Sequence, residues 1–264
     1  MQLKIIGEDV IQLFKYQLFK YIASAGLMFI VAQTVQAETV ETQVAVQDHV
    51  LIYDGPLSPE ANARAAELLK QSDKIDTLKI NSRGGEIGLG IDLGNLVFDH
   101  QLNVEVAQYC FSSCANYVFP AGKVKYLNLR SQLGWHGGSL QKMQFESAEM
   151  EQMYNEYIGP IRAKETAFFQ KIKVQQSSTI AGQTPEYEKY QDCVGWRYTS
   201  KKMRSFGIDQ VRFKQVLWLP KSSFENKCIF TIRLNLFVNE IFIMHIKTSS
   251  TTLQMRFLLG AIQF

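Results

Sequence analysis

The chain has few of the residues that bind metals or make small disulfide-rich folds. Its 264 residues include four cysteines and four histidines. The cysteines have no second Cys-x2-Cys pair and no histidine pair beside them, so their spacing does not match a zinc site. We therefore expect no metal and no cofactor. The cysteines are Cys110, Cys114, Cys193 and Cys228.

The chain also lacks a large excess of either positive or negative charge. Lysine and arginine number 28 against 25 acidic residues, which gives a net charge of +3. No general affinity for nucleic acid or for a membrane surface follows from that balance. Internal repeats and low-complexity tracts are absent as well. With 46% hydrophobic residues the chain can bury a core, and its specificity must come from a site.

The first residues resemble an export signal. Lys15 and Lys20 precede an apolar run over residues 21–35, and Val35-Gln36-Ala37 follows with small residues where a signal peptidase cuts. We expect a secretion signal over residues 1–37 and a periplasmic or secreted protein. The run is shorter than the roughly 20 residues that span a bilayer. An uncleaved anchor is the alternative, and membrane association is expected only in that case.

In an exported protein the four cysteines can form up to two disulfides, with three pairings if all are used. A Cys110–Cys114 bridge joins residues only four apart, so it requires a non-ideal helix between them. Pairing of Cys110 or Cys114 with Cys193 is a second arrangement. Buried free thiols are the remaining alternative.

After the signal, strand patterns alternate with helix patterns, which predicts an α/β fold in a single domain over residues 38–218. Ser58-Pro59-Glu60 is a strong helix start. The long helical segment should break at Gly159-Pro160. Residues 219–264 form a tail of uncertain structure: an extra hairpin, an interaction segment or a frameshifted end. Strands are predicted over residues 44–53, 77–81, 104–108, 124–127, 132–136 and 208–213, and helices over 58–72, 88–97, 112–119, 145–173 and 200–206.

Three features in the middle of the chain suit acyl transfer, which needs a nucleophile, a base and donors for an oxyanion. Gly84-Gly85 follows a strand, Ser113 lies where a strand enters a helix, and His136 ends another strand. Taken singly, each has an ordinary structural explanation: a turn, a helix cap and a hydrogen-bonded histidine. Their combination and order are far more specific.

In that order the three features resemble the Clp protease proteolytic subunit (ClpP) of the ClpP/crotonase superfamily. Ile80-Asn81-Ser82-Arg83-Gly84-Gly85 is similar to the family's INSPGG. Ser113 lies nine residues before Gly122, as the family's nucleophile lies before the glycine of its AAG sequence. His136 closes the following strand. Phe206-Gly207-Ile208-Asp209 looks like the family's later YGLVD segment.

The resemblance implies a fold of stacked β-β-α turns, self-assembly into rings or trimers, and hydrolysis of peptide bonds in peptides or unfolded proteins. It makes Ser113 the nucleophile and His136 the general base. It places the oxyanion-hole amides at Gly85 and Cys114. Together with the predicted export signal, it points to an exported, homo-oligomeric serine hydrolase; we expect no cofactor, and the charge balance predicts no binding of nucleic acid.

The chain also departs from the family pattern. Arg83 replaces the family's proline, and Gly195 stands where the acid that orients the histidine is expected. Asp192 is the nearest acid and is therefore the candidate third catalytic residue. These departures favour the alternative of a catalytically inactive binding or assembly module.

Two relatives within the superfamily suggest other chemistries. Signal peptide peptidases use a Ser-Lys dyad, for which Lys123 and Lys125 are candidates, although we rank His136 above both. The crotonase branch binds acyl-CoA thioesters and does not require Ser113, and coenzyme A is not expected outside the cytoplasm.

Overall fold

The computed structural model describes residues 41–234. It contains a large sheet with helices packed against it and a small second sheet. The predicted secretion signal and the part of the predicted tail after residue 234 lie outside the described residues. The strands are β1 (Gln43–Gln47), β2 (Val50–Asp54), β3 (Thr77–Ser82), β4 (Asn103–Phe111), β5 (Lys125–Leu127), β6 (Gln132–Gly134), β7 (Gly195–Tyr198), β8 (Val211–Phe213), β9 (Ser223–Phe224) and β10 (Lys227–Ile232).

Five α-helices accompany these strands. They are α1 (Pro59–Gln71), α2 (Ile87–Asp99), the single turn α3 (Phe119–Ala121), α4 (Ala148–Ile172) and α5 (Ser200–Ser205). A π-helix over Cys114–Val118 runs directly into α3, and three 3₁₀-helices lie between α4 and β7. Ser58 caps α1 by accepting a hydrogen bond from the Ala61 N–H, as its sequence predicts.

The large sheet is mostly parallel. Its strand order is β1-β2-β3-β4-β5-β8, and β6 pairs with the last part of β4. Within the described part of this sheet, β1 and β2 pair antiparallel, whereas the other pairs are parallel: β2–β3, β3–β4, β4–β5, β4–β6 and β5–β8. The helices α1 and α2 provide crossovers between neighbouring parallel strands, which confirms the predicted α/β class.

Strand β4 is the centre of the sheet. Its first part pairs with β5 from Val104 to Val106, and its last part pairs with β6 from Tyr109 to Phe111. Leu78, Ile80, Val104 and Val106 are fully buried, since helices cover the sheet. The core therefore fixes the position of the segment that follows β4.

The long helix α4 does not break at Gly159-Pro160, so that prediction is wrong. The helix is continuous from Ala148 to Ile172, with Pro160 inside it. Proline removes one backbone donor from a helix. Gly159 and Pro160 are exposed, and water can therefore satisfy the carbonyl that loses its partner.

The small sheet has the order β7-β10-β9, and it joins the large sheet through an antiparallel bridge between Trp135 and Trp196. Of the alternatives for the tail, a hairpin is present in its first part, formed by β9 and β10. No helix within residues 41–234 is both long enough and apolar enough to cross a membrane.

Candidate functional site

The candidate site lies where three parallel strands end. Gly84-Gly85 follows β3, Ser112 and Ser113 follow β4, and His136 follows β6. Because these strands are parallel neighbours, their carboxyl ends meet at one edge of the sheet. Ligands of open α/β sheets bind outside that edge. The fold thus brings together all three features that the sequence singled out.

His136 makes its hydrogen bond with Ser112. The His136 Nε2 lies 2.6 Å from the Ser112 Oγ, which is within the reach that a nucleophile and its base require. Ser112 has φ = 55°, in the left-handed region that non-glycine residues rarely adopt. Its N–H donates to the Gly134 carbonyl on β6, at 3.0 Å. The adjacent strand therefore holds this backbone conformation.

Ser113, the nucleophile that the resemblance implied, has a different partner. Its Oγ donates to the Gly85 carbonyl oxygen at 2.7 Å, and the residue is almost completely buried. The structure therefore pairs His136 with the serine one position earlier than the sequence comparison expected.

The π-helix explains this shift of one residue. A π-helical turn adds one residue to an α-helical path, and such turns are frequent at functional sites. Here it occupies Cys114–Val118, between the two serines and Gly122. Ser112 lies ten residues before Gly122, whereas the family spacing is nine. The family spacing assumes an ordinary helix, so counting back nine residues from Gly122 reaches Ser113 and not Ser112.

The glycine pair packs directly against the serine segment. Gly84 has φ = 93°, and a Cβ built on it would lie 2.6 Å from the Phe111 carbonyl oxygen and 2.8 Å from the Ser113 nitrogen. Only glycine fits that space and that backbone conformation. Leu57 N–H donates to the Gly84 carbonyl at 2.9 Å, which holds the turn from its other side.

Two backbone N–H groups beside Ser112 have no acceptor within residues 41–234: those of Gly85 and Ser113. The expectation for Gly85 is compatible with this geometry. The expectation that Cys114 supplies the second oxyanion-hole amide does not fit Ser112 as the nucleophile, because the N–H that directly follows Ser112 belongs to Ser113. Cys114 is instead joined to Cys110 by a disulfide.

Several hydrogen bonds fix the loop that carries His136. The Asn116 Nδ2 donates to the Gly137 carbonyl at 2.7 Å, and the Gln183 Nε2 donates to the His136 carbonyl at 3.0 Å. His136 retains solvent exposure. Desolvation by the surrounding protein nevertheless lowers its pKa below the usual 6.5. The imidazole is therefore largely neutral at pH 7, the form in which it can accept a proton.

Behind this loop lies a fully buried carboxylate, Glu165 on α4. It accepts hydrogen bonds from Tyr117 Oη at 2.5 Å, from Gln176 Nε2 at 2.7 Å and from Ser139 Oγ. These donors compensate the loss of water around the buried charge. Glu165 thereby ties α4 to the π-helix and to the chain just after His136, and burial next to it raises the pKa of Tyr117.

The structure supplies no acid partner for His136 within residues 41–234. Gly195 does lie beside the histidine, because a Cβ built on it would be 3.2 Å from the His136 Cβ. The same Cβ would be only 2.1 Å from the Trp135 carbonyl oxygen. Any side chain at Gly195 would therefore displace the Trp135–Trp196 bridge, where two hydrogen bonds of 2.8 Å join the backbones.

Asp192, the predicted third residue, is exposed and makes no hydrogen bond or ion pair with His136. Desolvation is the only cause of the shift in the His136 pKa, and no carboxylate opposes it. The arrangement is therefore a Ser112–His136 pair without an orienting acid.

The two lysines of the Ser-Lys alternative lie at the other edge of the sheet. Lys125 pairs with Val104, near the start of β4. Ser112 follows eight residues later, which at about 3.3 Å per residue in a strand is roughly 26 Å away. Lys125 cannot take a proton from either serine, and Lys123 precedes it in the same region.

Two disulfides flank the site. Cys110–Cys114 spans the three residues that contain both serines, and Cys193–Cys228 joins the segment before β7 to β10. The first pairing is one that the sequence left open, and the helix it requires is indeed irregular. The alternatives with Cys193 beside Cys110 or Cys114, and free thiols, are excluded by these pairings. Two disulfides also favour an oxidising environment.

No cluster of three or more metal-ligating side chains occurs within residues 41–234. A scan against protein-family models and a search of curated protein sequences each found no match.

Sequence reasoning missed three residues of this region. The spacing to Gly122 points to Ser113 and not to Ser112, and Asn116 and Glu165 carry no separate sequence signal. The pair Ser112-Ser113 next to Cys114 was the one available hint, since two adjacent serines leave the nucleophile ambiguous.

Proposed function

We propose that this protein is an exported serine hydrolase with a ClpP/crotonase-like fold of stacked β-β-α turns, which cleaves peptide bonds through Ser112 and His136. The observation that carries the proposal is the 2.6 Å contact between His136 Nε2 and the Oγ of a serine in the left-handed conformation. Support for the fold comes from parallel strands that present glycine, serine and histidine in the family's order.

In the proposed reaction His136 Nε2 takes the proton of Ser112 Oγ while that oxygen attacks the peptide carbonyl carbon. The N–H groups of Ser113 and Gly85 donate to the oxyanion that develops. His136 then returns its proton to the leaving amine, and a second cycle with water releases the acyl group from Ser112. Ser113 Oγ acts as a positioning group, because it holds the Gly85 peptide against the serine segment.

The lack of an acid sets the expected rate. Loss of the orienting aspartate in a serine protease costs about 10⁴ in turnover, because the histidine then adopts the wrong tautomer. The Ser112–His136 pair is accordingly proposed to hydrolyse ordinary peptides slowly and still to react with a fluorophosphonate, because labelling needs one attack of Ser112 Oγ on the activated phosphorus, with loss of fluoride, and no turnover.

A fluorophosphonate probe tests the assignment. Wild-type protein should be labelled at Ser112, and Ser112→Ala should abolish labelling. The matched variant Ser113→Ala should keep labelling but slow it roughly fivefold, since it removes one buried hydrogen bond worth about 1 kcal/mol. Labelling that survives in Ser112→Ala and disappears in Ser113→Ala would return the nucleophile to Ser113.

The second candidate function is a non-catalytic binding or assembly module with the same fold. Gly195 beside His136 favours it, since no acid can occupy that position without displacing the Trp135–Trp196 bridge. This alternative predicts a folded wild-type protein that no fluorophosphonate labels and that leaves casein and short peptides intact.

Self-assembly and export belong to the same proposal. Exposed apolar side chains at Val216, Leu217 and Leu219 support association of subunits. Sedimentation velocity should show a trimer or larger ring. A thiol count of the secreted protein should give none before reduction and four after it, in keeping with two disulfides.

A further inference from the structure

A cavity lies at the edge of the large sheet opposite to the one that carries Ser112. It has a volume of about 260 Å³, and Lys123, Lys125, Lys173 and Asp209 line it together with apolar residues that include Phe98 and Pro120. Ligand pockets in proteins usually measure about 300–1,000 Å³. This cavity is slightly smaller than that range, so it suits a ligand of few atoms.

Lys125 is the unusual member of this group. It is 6% exposed, because β5 lies between β4 and β8 in the sheet. No hydrogen bond or ion pair of its Nζ exists within residues 41–234. Buried charges are normally paired, and desolvation lowers the pKa of this amine from 10.5 to about 8.

The cavity has an excess of positive charge. Lys123 and Lys173 are exposed and lie at its wall, and neither forms an ion pair in the described part of the chain. Asp209 is the one carboxylate in the lining. Its charge raises the pKa of Lys125, but by less than desolvation lowers it, and its carboxylate also lies 3.7 Å from the Arg204 guanidinium. Three lysines and one acid thus line the cavity, and that acid also interacts with an arginine.

We propose that this cavity binds a small oxyanion, a carboxylate or a phosphate, through the ammonium group of Lys125, with Lys123 and Lys173 adding charge at its wall. The bound anion supplies the partner that Lys125 lacks. The apolar surface of Phe98 and Pro120 leaves room for a small hydrocarbon group beside a carboxylate. The site is about 26 Å from Ser112 along β4, so it does not depend on the proposed hydrolase activity.

Calorimetric titration of the full chain tests the proposal with inorganic phosphate, benzoate and, as a neutral probe, benzyl alcohol. Phosphate or benzoate should bind with one site per chain, and benzyl alcohol should not bind. Preference for one anion identifies the class of ligand. Lys125→Met, which keeps an apolar side chain, should weaken binding at least tenfold, whereas the exposed control Lys70→Met should bind like wild type.

Equal anion binding by Lys125→Met and wild type would overturn the proposal, and so would a wild-type protein that binds neither anion. Circular dichroism checks that Lys125→Met is folded. Should it not fold, the double variant Lys123→Met/Lys173→Met replaces it and should weaken binding at least threefold; unchanged affinity there refutes the site. Fluorophosphonate labelling of Ser112 should be unaffected in every lysine variant.

Discussion

At the scale of single residues, the two adjacent serines have different surroundings. Ser112 faces His136 from a left-handed backbone, whereas Ser113 is buried and donates to the Gly85 carbonyl. A left-handed serine is strained and persists only where neighbours hold it. Here the neighbours are Gly134, which accepts from the Ser112 N–H, and Gly84, which leaves room for the segment.

The lowered pKa of His136 predicts the pH dependence of the proposed reaction. Only the neutral imidazole accepts a proton, so the labelling rate should rise with pH through the pKa of His136. Desolvation places that pKa below 6.5, and the rate should therefore reach its plateau by about pH 7. The measurement is the rate of fluorophosphonate labelling from about pH 4.5 to about pH 8.

The same shift makes the fold weaker in acid. A histidine whose pKa is lower in the folded state binds fewer protons there than in the unfolded chain, so its contribution is lost as pH falls. Near-UV circular dichroism at each pH separates loss of activity from unfolding. A labelling rate that climbs only above pH 7 would contradict the assigned base.

At the scale of elements, the end of β4 and the π-helix form one unit. The Cys110–Cys114 disulfide closes it, and both cysteines are fully buried. The strand pairs with β6 up to Phe111, so the chain must turn within two residues before the π-helix begins at Cys114. The bridge restricts that turn and hence the backbone of Ser112.

Removal of this bridge should therefore affect the site more than the fold. In Cys110→Ala/Cys114→Ala the Ser112 backbone can leave the left-handed region, and labelling by fluorophosphonate should slow at least tenfold. The bridge joins residues only four apart in sequence, so its effect on the unfolded chain is smaller than that of a bridge that closes a long loop. Stopped-flow labelling measures the effect on the site, and thermal unfolding of the same samples measures the effect on the fold. An unchanged labelling rate would show that the strands alone hold the Ser112 backbone.

At the scale of the whole molecule, several contacts attach the small sheet to the large one. They include the Trp135–Trp196 bridge, the Arg83–Glu225 ion pair at 2.6 Å and the stacking of Phe224 on Phe111 at 4.3 Å. The Cys193–Cys228 disulfide adds a covalent bond between the strands of the small sheet. The hairpin β9–β10 thus packs beside the serine and glycine segments.

The second disulfide should matter for stability. It closes a loop of 35 residues, for which the chain-entropy relation gives about 3–4 kcal/mol. Cys193→Ala/Cys228→Ala should lower the free energy of unfolding by up to that amount, and amide exchange should quicken in β7 and β10. Labelling of Ser112 should fall less than in Cys110→Ala/Cys114→Ala; the reverse order of the two variants would contradict the roles given to the bridges.

The sequence alone determined the α/β class, because alternating apolar patterns and strong starts such as Ser58-Pro59 are local signals. It also determined that Gly84-Gly85 and His136 lie at strand ends, since each follows a short apolar run. The charge balance and the four cysteines needed no structure to interpret.

Only the tertiary structure decided which serine faces His136. A π-helix adds one residue to the path, and whether it forms depends on packing across Cys114–Val118 rather than on local propensity. Tertiary contacts likewise decided that Gly195 touches Trp135 and that His136 bonds to Ser112 and not to Asp192. The cavity around Lys125 is also a product of distant segments meeting, because α2, α4 and the chain near Gly207 enclose it.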